Sequence, residues 1–137
     1  MTTPDRPYPV QTVLNDGYLD GLRAGELRIQ RCADCGRYRF PPAGNCPACL
    51  SASWAWTPVS GRGTLWSWIR MHKRYIAGFE PPYVIALVQL EEGPRLIAAV
   101  PAGAEDRLAC DLPVQACFEK DGDQVRVMFR PREGAGR

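Results

Sequence analysis

Four cysteines stand in two pairs with the spacing of metal ligands. The first pair is Cys32 and Cys35, the second is Cys46 and Cys49, and ten residues separate the pairs. Each pair puts two thiolates on one tight turn, and two such turns facing each other supply the four sulfur ligands of a tetrahedral Zn²⁺ at about 2.3 Å. The spacing therefore predicts a structural zinc ribbon, in preference to disulfides or a redox dithiol.

No recognisable catalytic set accompanies these cysteines. His72 is the only histidine, and nothing near it resembles the turn that presents an activated nucleophile. The glycine-rich motifs that bind nucleotide phosphates do not occur. A zinc ion held by four cysteines has no open position for water or substrate. The sequence thus predicts a binding or assembly role.

One predicted loop gathers side chains that could contact a ligand. The connection from His72 to Pro82 carries a histidine, two cations and two aromatic rings. Lysine and arginine bind phosphates, and an aromatic side chain can stack on a ring. A solvated basic loop whose aromatic rings pack against the protein is the competing interpretation. The candidate ligand or partner residues are His72, Lys73, Arg74, Tyr75 and Phe79.

An amphipathic segment precedes the ribbon. After a proline-rich arm over residues 1–9, apolar side chains recur at a helical period from Val10 to Leu22. A helix is predicted there, although Gly17 and Gly21 each weaken it by about 1 kcal/mol. Its apolar stripe would pack on the protein itself or on a partner, and the pattern does not distinguish the two. The candidate partner-docking residues are Val13, Leu14, Tyr18 and Leu22.

The second half of the chain is predicted to form a small barrel. A short strand containing Leu27 and Ile29 leads into the ribbon. Trp54 and Trp56 lie two apart on an extended segment, so both rings project from one face. Packing of these rings between ribbon and barrel is favoured over stacking on a bound ligand. Five apolar or alternating segments follow within about 70 residues, which leaves no room for helical crossovers and favours a five-stranded OB-fold. The strands are predicted at residues 63–71, 83–90, 96–100, 114–119 and 125–130.

The predicted fold class is therefore mainly β. Its parts are an N-terminal arm and helix over residues 1–25, a zinc ribbon over 26–57, an OB-fold over 58–132 and a flexible tail over 133–137.

Charge and composition restrict the partners. Lysine and arginine number 17 against 15 acidic residues, spread through the chain, so the footprint of a polyanion binder is missing. No apolar run approaches the length of a membrane span, and no signal peptide pattern is present, so a cytoplasmic location without membrane contact is expected. Cysteine pairs in a reducing compartment more often hold metal. Cys110 and Cys117 are expected to be apolar filling in strands.

Several short motifs occur in a characteristic order. They are Gly25-Glu26-Leu27, Gln30-Arg31-Cys32, Cys35-Gly36, Pro41-Pro42, Cys46-Pro47-Ala48-Cys49, Trp56 and Gly61-Arg62-Gly63-Thr64. In this order they resemble the zinc-ribbon/OB-fold acyl-CoA-associated family, long catalogued as a domain of unknown function. The resemblance implies an N-terminal helix, a rubredoxin-like zinc ribbon and a C-terminal OB-fold. The four cysteines are the residues that carry over securely, and no family motif covers the loop from His72 to Phe79.

The resemblance also implies a partner. Family members are non-catalytic partners of thiolase-superfamily proteins, including thiolases, hydroxymethylglutaryl-CoA synthases and aldolases that act on acyl-CoA intermediates of steroid side chains. The expectation is a hetero-oligomeric lyase or acyltransferase complex in which the partner supplies the catalytic residues. This subunit would stabilise the partner and help to shape its CoA channel, with acyl-CoA at or near the interface.

Two other functions remain open on the sequence. A single-stranded nucleic-acid binder is the alternative, because OB-folds and zinc ribbons both serve that purpose, although the charge balance argues against it. A carrier that binds acyl-CoA alone ranks lower, because a five-stranded barrel is filled by its own side chains.

Overall fold

The computed structural model describes residues 9–75 and 78–132. Within these two ranges, one helix is followed by eight strands, with a single 3₁₀ turn at Glu105–Arg107. The elements are α1 (Asp16–Arg23), β1 (Arg28–Cys32), β2 (Tyr38–Arg39), β3 (Trp54–Pro58), β4 (Arg62–Met71), β5 (Tyr83–Leu90), β6 (Arg95–Ala99), β7 (Pro113–Asp121) and β8 (Gln124–Pro131). The mainly β class is confirmed.

A three-stranded antiparallel sheet in the order β2-β1-β3 carries the ribbon. Its central strand β1 contains Gln30, which is buried although polar. The Oε1 atom of Gln30 accepts hydrogen bonds from Arg39 Nε at 3.0 Å and from the backbone N–H of Ala43 at 2.8 Å. These bonds satisfy the buried amide oxygen and attach the chain after β2 to β1. The sheet thereby fixes the end of β1, where Cys32 lies.

The five remaining strands close into a barrel in the order β4-β5-β6-β8-β7, which confirms the OB-fold prediction. All five predicted strands are present, with ends that differ from the prediction by two residues or fewer. Neighbouring strands are antiparallel except β6 and β8, which are parallel and share a single register pair, Ala99 with Met128. The seam between β6 and β8 is therefore the weakest closure of the barrel.

Alternate residues of the strands fill the barrel, and the core continues through α1 and β1. On β5, for example, Val84, Ala86, Val88 and Leu90 are all buried, as the alternation of a half-exposed strand requires. The buried apolar cluster comprises Leu19, Leu22, Leu27, Ile29, Leu65, Val84, Ala86, Val88, Leu90, Leu96, Ala98, Val100, Val114, Val125, Val127 and Phe129. Helix, ribbon and barrel thus share one core.

A β-bulge in β4 interrupts the regular alternation of inward and outward side chains along this strand. Leu65 pairs with Val88 but Ser67 pairs with Leu87, so Trp66 is the additional residue. The bulge reverses the two faces of the strand. Leu65 is buried and Trp68 packs against the core, whereas Trp66 is exposed beneath the Arg95 guanidinium, 4.0 Å from its ring.

The helix begins at Asp16, so the predicted helix from Val10 is wrong over its first six residues. The Asn15 side chain holds a turn there instead. Its Oδ1 accepts the backbone N–H of Thr12 at 2.7 Å, and its Nδ2 donates to the carbonyl of Val10 at 3.1 Å. Such side-chain bonds to the backbone compete with helical ones, which explains the late start.

Ser60 joins the ribbon to the barrel through two adjacent acids. Its N–H donates to Glu92 Oε2 at 2.9 Å, and its hydroxyl donates to Glu91 Oε2 at 2.8 Å. Arg62 Nε donates to the same Glu91 oxygen at 2.9 Å. Hydrogen bonds from Ser60 and Arg62 hold the pKa of Glu91 below its usual value. The junction after β3 is therefore tied to the β5–β6 turn.

Helix α1 lies directly on the ring of Trp56, and a glycine makes this approach feasible. A Cβ atom at Gly17 would lie 2.2 Å from Trp56 Cγ, far inside van der Waals contact. Gly17 therefore lowers the intrinsic stability of the helix but allows α1 to pack against Trp56. Trp56 on β3 is thus one of the ribbon residues that contact α1.

We expect Gly17→Ala to lower the free energy of unfolding by about 1–3 kcal/mol because of overpacking, although alanine favours a helix by about 1 kcal/mol. Urea denaturation followed by tryptophan fluorescence measures this. Gly44→Ala is the control, since no atom lies within 4 Å of a Cβ there. A more stable Gly17→Ala protein would show that α1 does not rest on Trp56.

Within the described ranges, no helix is long and apolar enough to span a membrane. The predicted cytoplasmic location and the predicted domain limits stay predictions. Residues 1–8 of the predicted arm and the predicted tail over 133–137 lie outside the described residues.

Candidate metal centre and apolar groove

The four predicted ligands come together in space. Their Sγ atoms all lie within 4.8 Å of one another, with Cys32 3.5 Å from Cys49 and Cys35 3.6 Å from Cys46. Four sulfurs at about 2.3 Å from a central zinc would be about 3.8 Å apart. All four are free cysteines. The donor set therefore fits a tetrahedral metal site of the kind typical of zinc.

The two CxxC turns have the same local structure. In the first, the N–H of Gly36 donates to the carbonyl of Cys32 at 3.1 Å, and in the second the N–H of Leu50 donates to the carbonyl of Cys46 at 2.8 Å. Gly36 has φ +79° and Leu50 has φ +67°. The second turn thus holds a leucine in the left-handed conformation that glycine adopts easily in the first. This repeated geometry aims both cysteine pairs at one point.

Backbone N–H groups prepare two of the thiols for metal. Cys35 N–H donates to Cys32 Sγ at 3.5 Å, and Ala48 N–H donates to Cys46 Sγ at 3.4 Å. The bond from Cys35 is the main cause that lowers the pKa of Cys32 to about 6. The pKa of Cys46 is lowered by the N–H groups of Cys49 and Ala48. These N–H groups therefore stabilise the thiolate forms of Cys32 and Cys46, and the thiolate is the form that binds metal.

Cys49 behaves in the opposite way. The N–H of Ser51 lowers its pKa, but the Cys32 sulfur and burial outweigh that effect and raise it to about 12. Adjacent sulfurs resist a second negative charge, and a divalent cation would remove that resistance. Zinc bound here would cross-link the two turns, and its four cysteines leave no position for substrate.

The remaining cysteines lie apart from this site. Cys117 is half-buried on β7, and burial raises the pKa of its thiol. Cys110 is exposed in a turn, so the prediction that it fills a strand is wrong.

Some of the candidate residues in the loop after β4 are exposed, and others pack against the protein. His72 is exposed, the Lys73 ammonium lies 5.8 Å from the exposed Tyr75 ring, and Arg74 donates to Glu80 at 2.6 Å. The half-buried Phe79 ring lies 6.0 Å from Tyr83 and 5.5 Å from the Arg126 guanidinium. Ile76 and Ala77 lie outside the described residues. Contact of this loop with a ligand or partner stays a prediction.

The four candidate docking residues near the N-terminus do not share one surface. Leu22 is buried, and the Tyr18 ring packs 5.3 Å from Phe40. Val13 and Leu14 precede the helix and are exposed, Val13 by 87%. Tyr18 and Leu22 therefore pack on the protein itself. Contact of Val13 and Leu14 with a partner stays a prediction.

An apolar groove of about 530 Å³ was missed by the sequence reasoning. It follows the β6–β8 seam and reaches α1, and Ile97 at its edge is 68% exposed. The signal was the run Leu96-Ile97-Ala98-Ala99, which is apolar on both faces of a strand. Its lining includes Leu19, Leu22, Val84, Ile85, Ile97, Val100, Val125, Val127 and Met128.

The fold combines a zinc ribbon and a five-stranded OB-fold that share one core. Comparison with known protein families shows which family has this combination. Residues 19–55 match "ChsH2, rubredoxin-like zinc ribbon domain", and residues 56–119 match "ChsH2, C-terminal OB-fold domain". The chain belongs to this ChsH2-type zinc-ribbon and OB-fold family, also called DUF35, and the predicted resemblance is confirmed.

The chain is similar to one chain of an aldolase structure and to two proteins named as subunits of a CoA thiolase and a CoA hydratase. The chain is 34% identical to a chain of the solved structure "Ltp2-ChsH2(DUF35) aldolase", covering 90% of itself and 98% of that chain with a TM-score of 0.83. It is 34% identical to the "Benzoylsuccinyl-CoA thiolase subunit BbsA" of Thauera aromatica, covering 68% of itself and 63% of that protein. It is 40% identical to the "3-oxo-4,17-pregnadiene-20-carboxyl-CoA hydratase alpha subunit" of Mycobacterium tuberculosis, over 85% of itself but 37% of that protein. The chain thus spans about two fifths of the mycobacterial relative.

Proposed function

We propose that this protein is a non-catalytic accessory subunit of a thiolase-superfamily acyl-CoA enzyme. It binds and stabilises that enzyme and helps to form its channel for CoA and substrate. The observation that carries the proposal is the similarity over 98% of a chain from an aldolase whose description names two components. The similarity to a thiolase subunit points to the same class of partner.

The chemistry of the chain supports a role without catalysis. The four clustered thiols are accounted for by a closed metal site, which would hold the fold together and offer no position to a substrate. His72 lies exposed on a loop. The reaction is therefore assigned to the partner, and the acyl group would be the partner's substrate.

One end of the barrel carries positive charges that could contact CoA in the proposed channel. Lys73 and Arg74 in the loop after β4 are both exposed cations, and Arg74 also pairs with Glu80. Cations of this kind bind phosphate groups such as those of CoA. In this proposal they face the CoA phosphates at the interface with the partner.

Affinity capture tests the proposal. The full chain, tagged and expressed in its native cell, is expected to co-purify with a thiolase-like protein that mass spectrometry identifies. Adding the purified chain to that partner should raise its kcat/KM for acyl-CoA and its thermal stability. The same tag without the chain is the control. Failure of the chain to bind or stimulate any thiolase-like protein of the cell would refute the proposal.

A further inference from the structure

The groove at the β6–β8 seam has an incompletely paired strand edge. Strand β6 pairs with β5 from Arg95 to Ala99, but it meets β8 in register at Ala99 alone. Strand β8 is paired with β7 along its length. Between Arg95 and Ala98, the edge of β6 that faces β8 is therefore without a ladder partner in the described residues. An edge of this kind accepts an extended segment of another chain.

The groove is also apolar and large enough for side chains. Its volume of about 530 Å³ lies within the usual range of ligand pockets. Half-buried Ile85 of β5 and Met128 of β8 line it together with Ile97. Ile97 is exposed by 68% at its edge, where contact with an apolar side chain would remove it from water.

The charges around the groove indicate which kind of segment would bind there. Three carboxylates line it, from Glu80, Glu105 and Glu119, against one guanidinium, from Arg126. Glu80 is paired with Arg74, and Arg126 stands opposite Glu119 in the β7–β8 register. Glu105 is half-buried and has no ion pair among residues 9–75 and 78–132. Glu105 is therefore the one groove carboxylate of the described residues without a cationic neighbour, and its charge attracts a cation and disfavours the phosphates of CoA.

We propose that the groove receives an apolar segment of the partner subunit that carries a lysine or arginine. The segment lies along the edge of β6, with an apolar side chain on Ile97 and its cation beside Glu105. This inference rests on the proposed function and assigns the groove to the partner's chain, in place of acyl-CoA.

Two matched pairs of variants test the inference in the complex with the captured partner. Ile97→Thr is compared with Ile69→Thr, because Ile69 is 56% exposed on the barrel strand β4 but does not line the groove. Glu105→Lys is compared with Asp106→Lys, which makes the same charge change one residue away, also outside the groove. The dissociation constant is measured by biolayer interferometry at low and high salt.

The groove variants are expected to weaken binding about tenfold, as for residues at the centre of an interface. The loss from Glu105→Lys should shrink at high salt because screening weakens charge contacts. Ile69→Thr and Asp106→Lys should bind as the wild type does. Unchanged melting temperatures of the isolated variants would establish that they fold.

Each other outcome is informative. If the wild type binds and both groove variants bind equally well, the inference is overturned and the proposed function stands. An equal loss from Ile69→Thr would move the contact to the outer barrel face and also overturn it. If the wild type forms a dimer and Ile97→Thr dissociates it, the groove binds a second copy of the chain and the inference is overturned. If calorimetry shows that the wild type binds acyl-CoA and Ile97→Thr does not, the groove binds CoA and the inference is likewise overturned. If the wild type binds no thiolase-like protein, the proposed function itself fails.

Discussion

Replacing Cys32 or Cys46 by serine is expected to abolish stoichiometric zinc binding and to unfold the ribbon. Serine lacks a thiolate, and the other three sulfurs cannot complete the tetrahedral site. In sites of this kind the free energy of metal binding is largely free energy of folding. Because β1 ends at Cys32, the loss should extend into the three-stranded sheet. Mass spectrometry would measure the zinc content per chain, and circular dichroism would measure the loss of folded structure.

Cys110→Ser is the matched control for this prediction. Cys110 is also a free cysteine, but it is exposed and lies outside the cluster. Its replacement should leave the zinc content and the melting temperature unchanged. A Cys46→Ser protein with the zinc content of the wild type would rule out the four-cysteine site.

Replacing Leu19 by alanine is expected to lower the free energy of unfolding by about 2–5 kcal/mol, as for other fully buried leucines. Leu19 is 0% exposed and belongs to the core shared by α1, the ribbon and the barrel. Its truncation leaves a cavity between the helix and the strands. Chemical denaturation of the purified chain, monitored by tryptophan fluorescence, gives the free energy.

Val13→Ala provides the comparison, because it removes apolar atoms from an exposed side chain just before α1. Its effect on stability should stay within about 0.5 kcal/mol. If Leu19→Ala proved as mild as Val13→Ala, α1 would contribute little to the fold of this chain. Its apolar side would then be available to a partner.

The helix and the groove are connected through the same residues. Leu19 and Leu22 pack in the core and also line the groove. Helix α1, which Gly17 and Trp56 hold against the ribbon, therefore supports the groove from within the core.

The sequence by itself determined the features that depend on spacing and on neighbouring residues. The zinc ligands follow from two CxxC turns, each of which is a local structure. The five barrel strands follow from apolar alternation between turn residues such as Gly93 and Gly122. Both signals lie within a few residues, so distant parts of the chain do not alter them.

Only the tertiary structure decided the features that depend on distant residues. The position of α1 depends on the close approach of Gly17 to the ring of Trp56, which the two residues make only in the folded chain. The bulge at Trp66 arises from pairing with β5, and it reverses which side chains of β4 are buried. The groove exists because β6 and β8 meet at one register pair, a consequence of how a five-stranded barrel closes. Local patterns cannot specify these contacts, because each joins residues that are far apart in the chain and close only after folding.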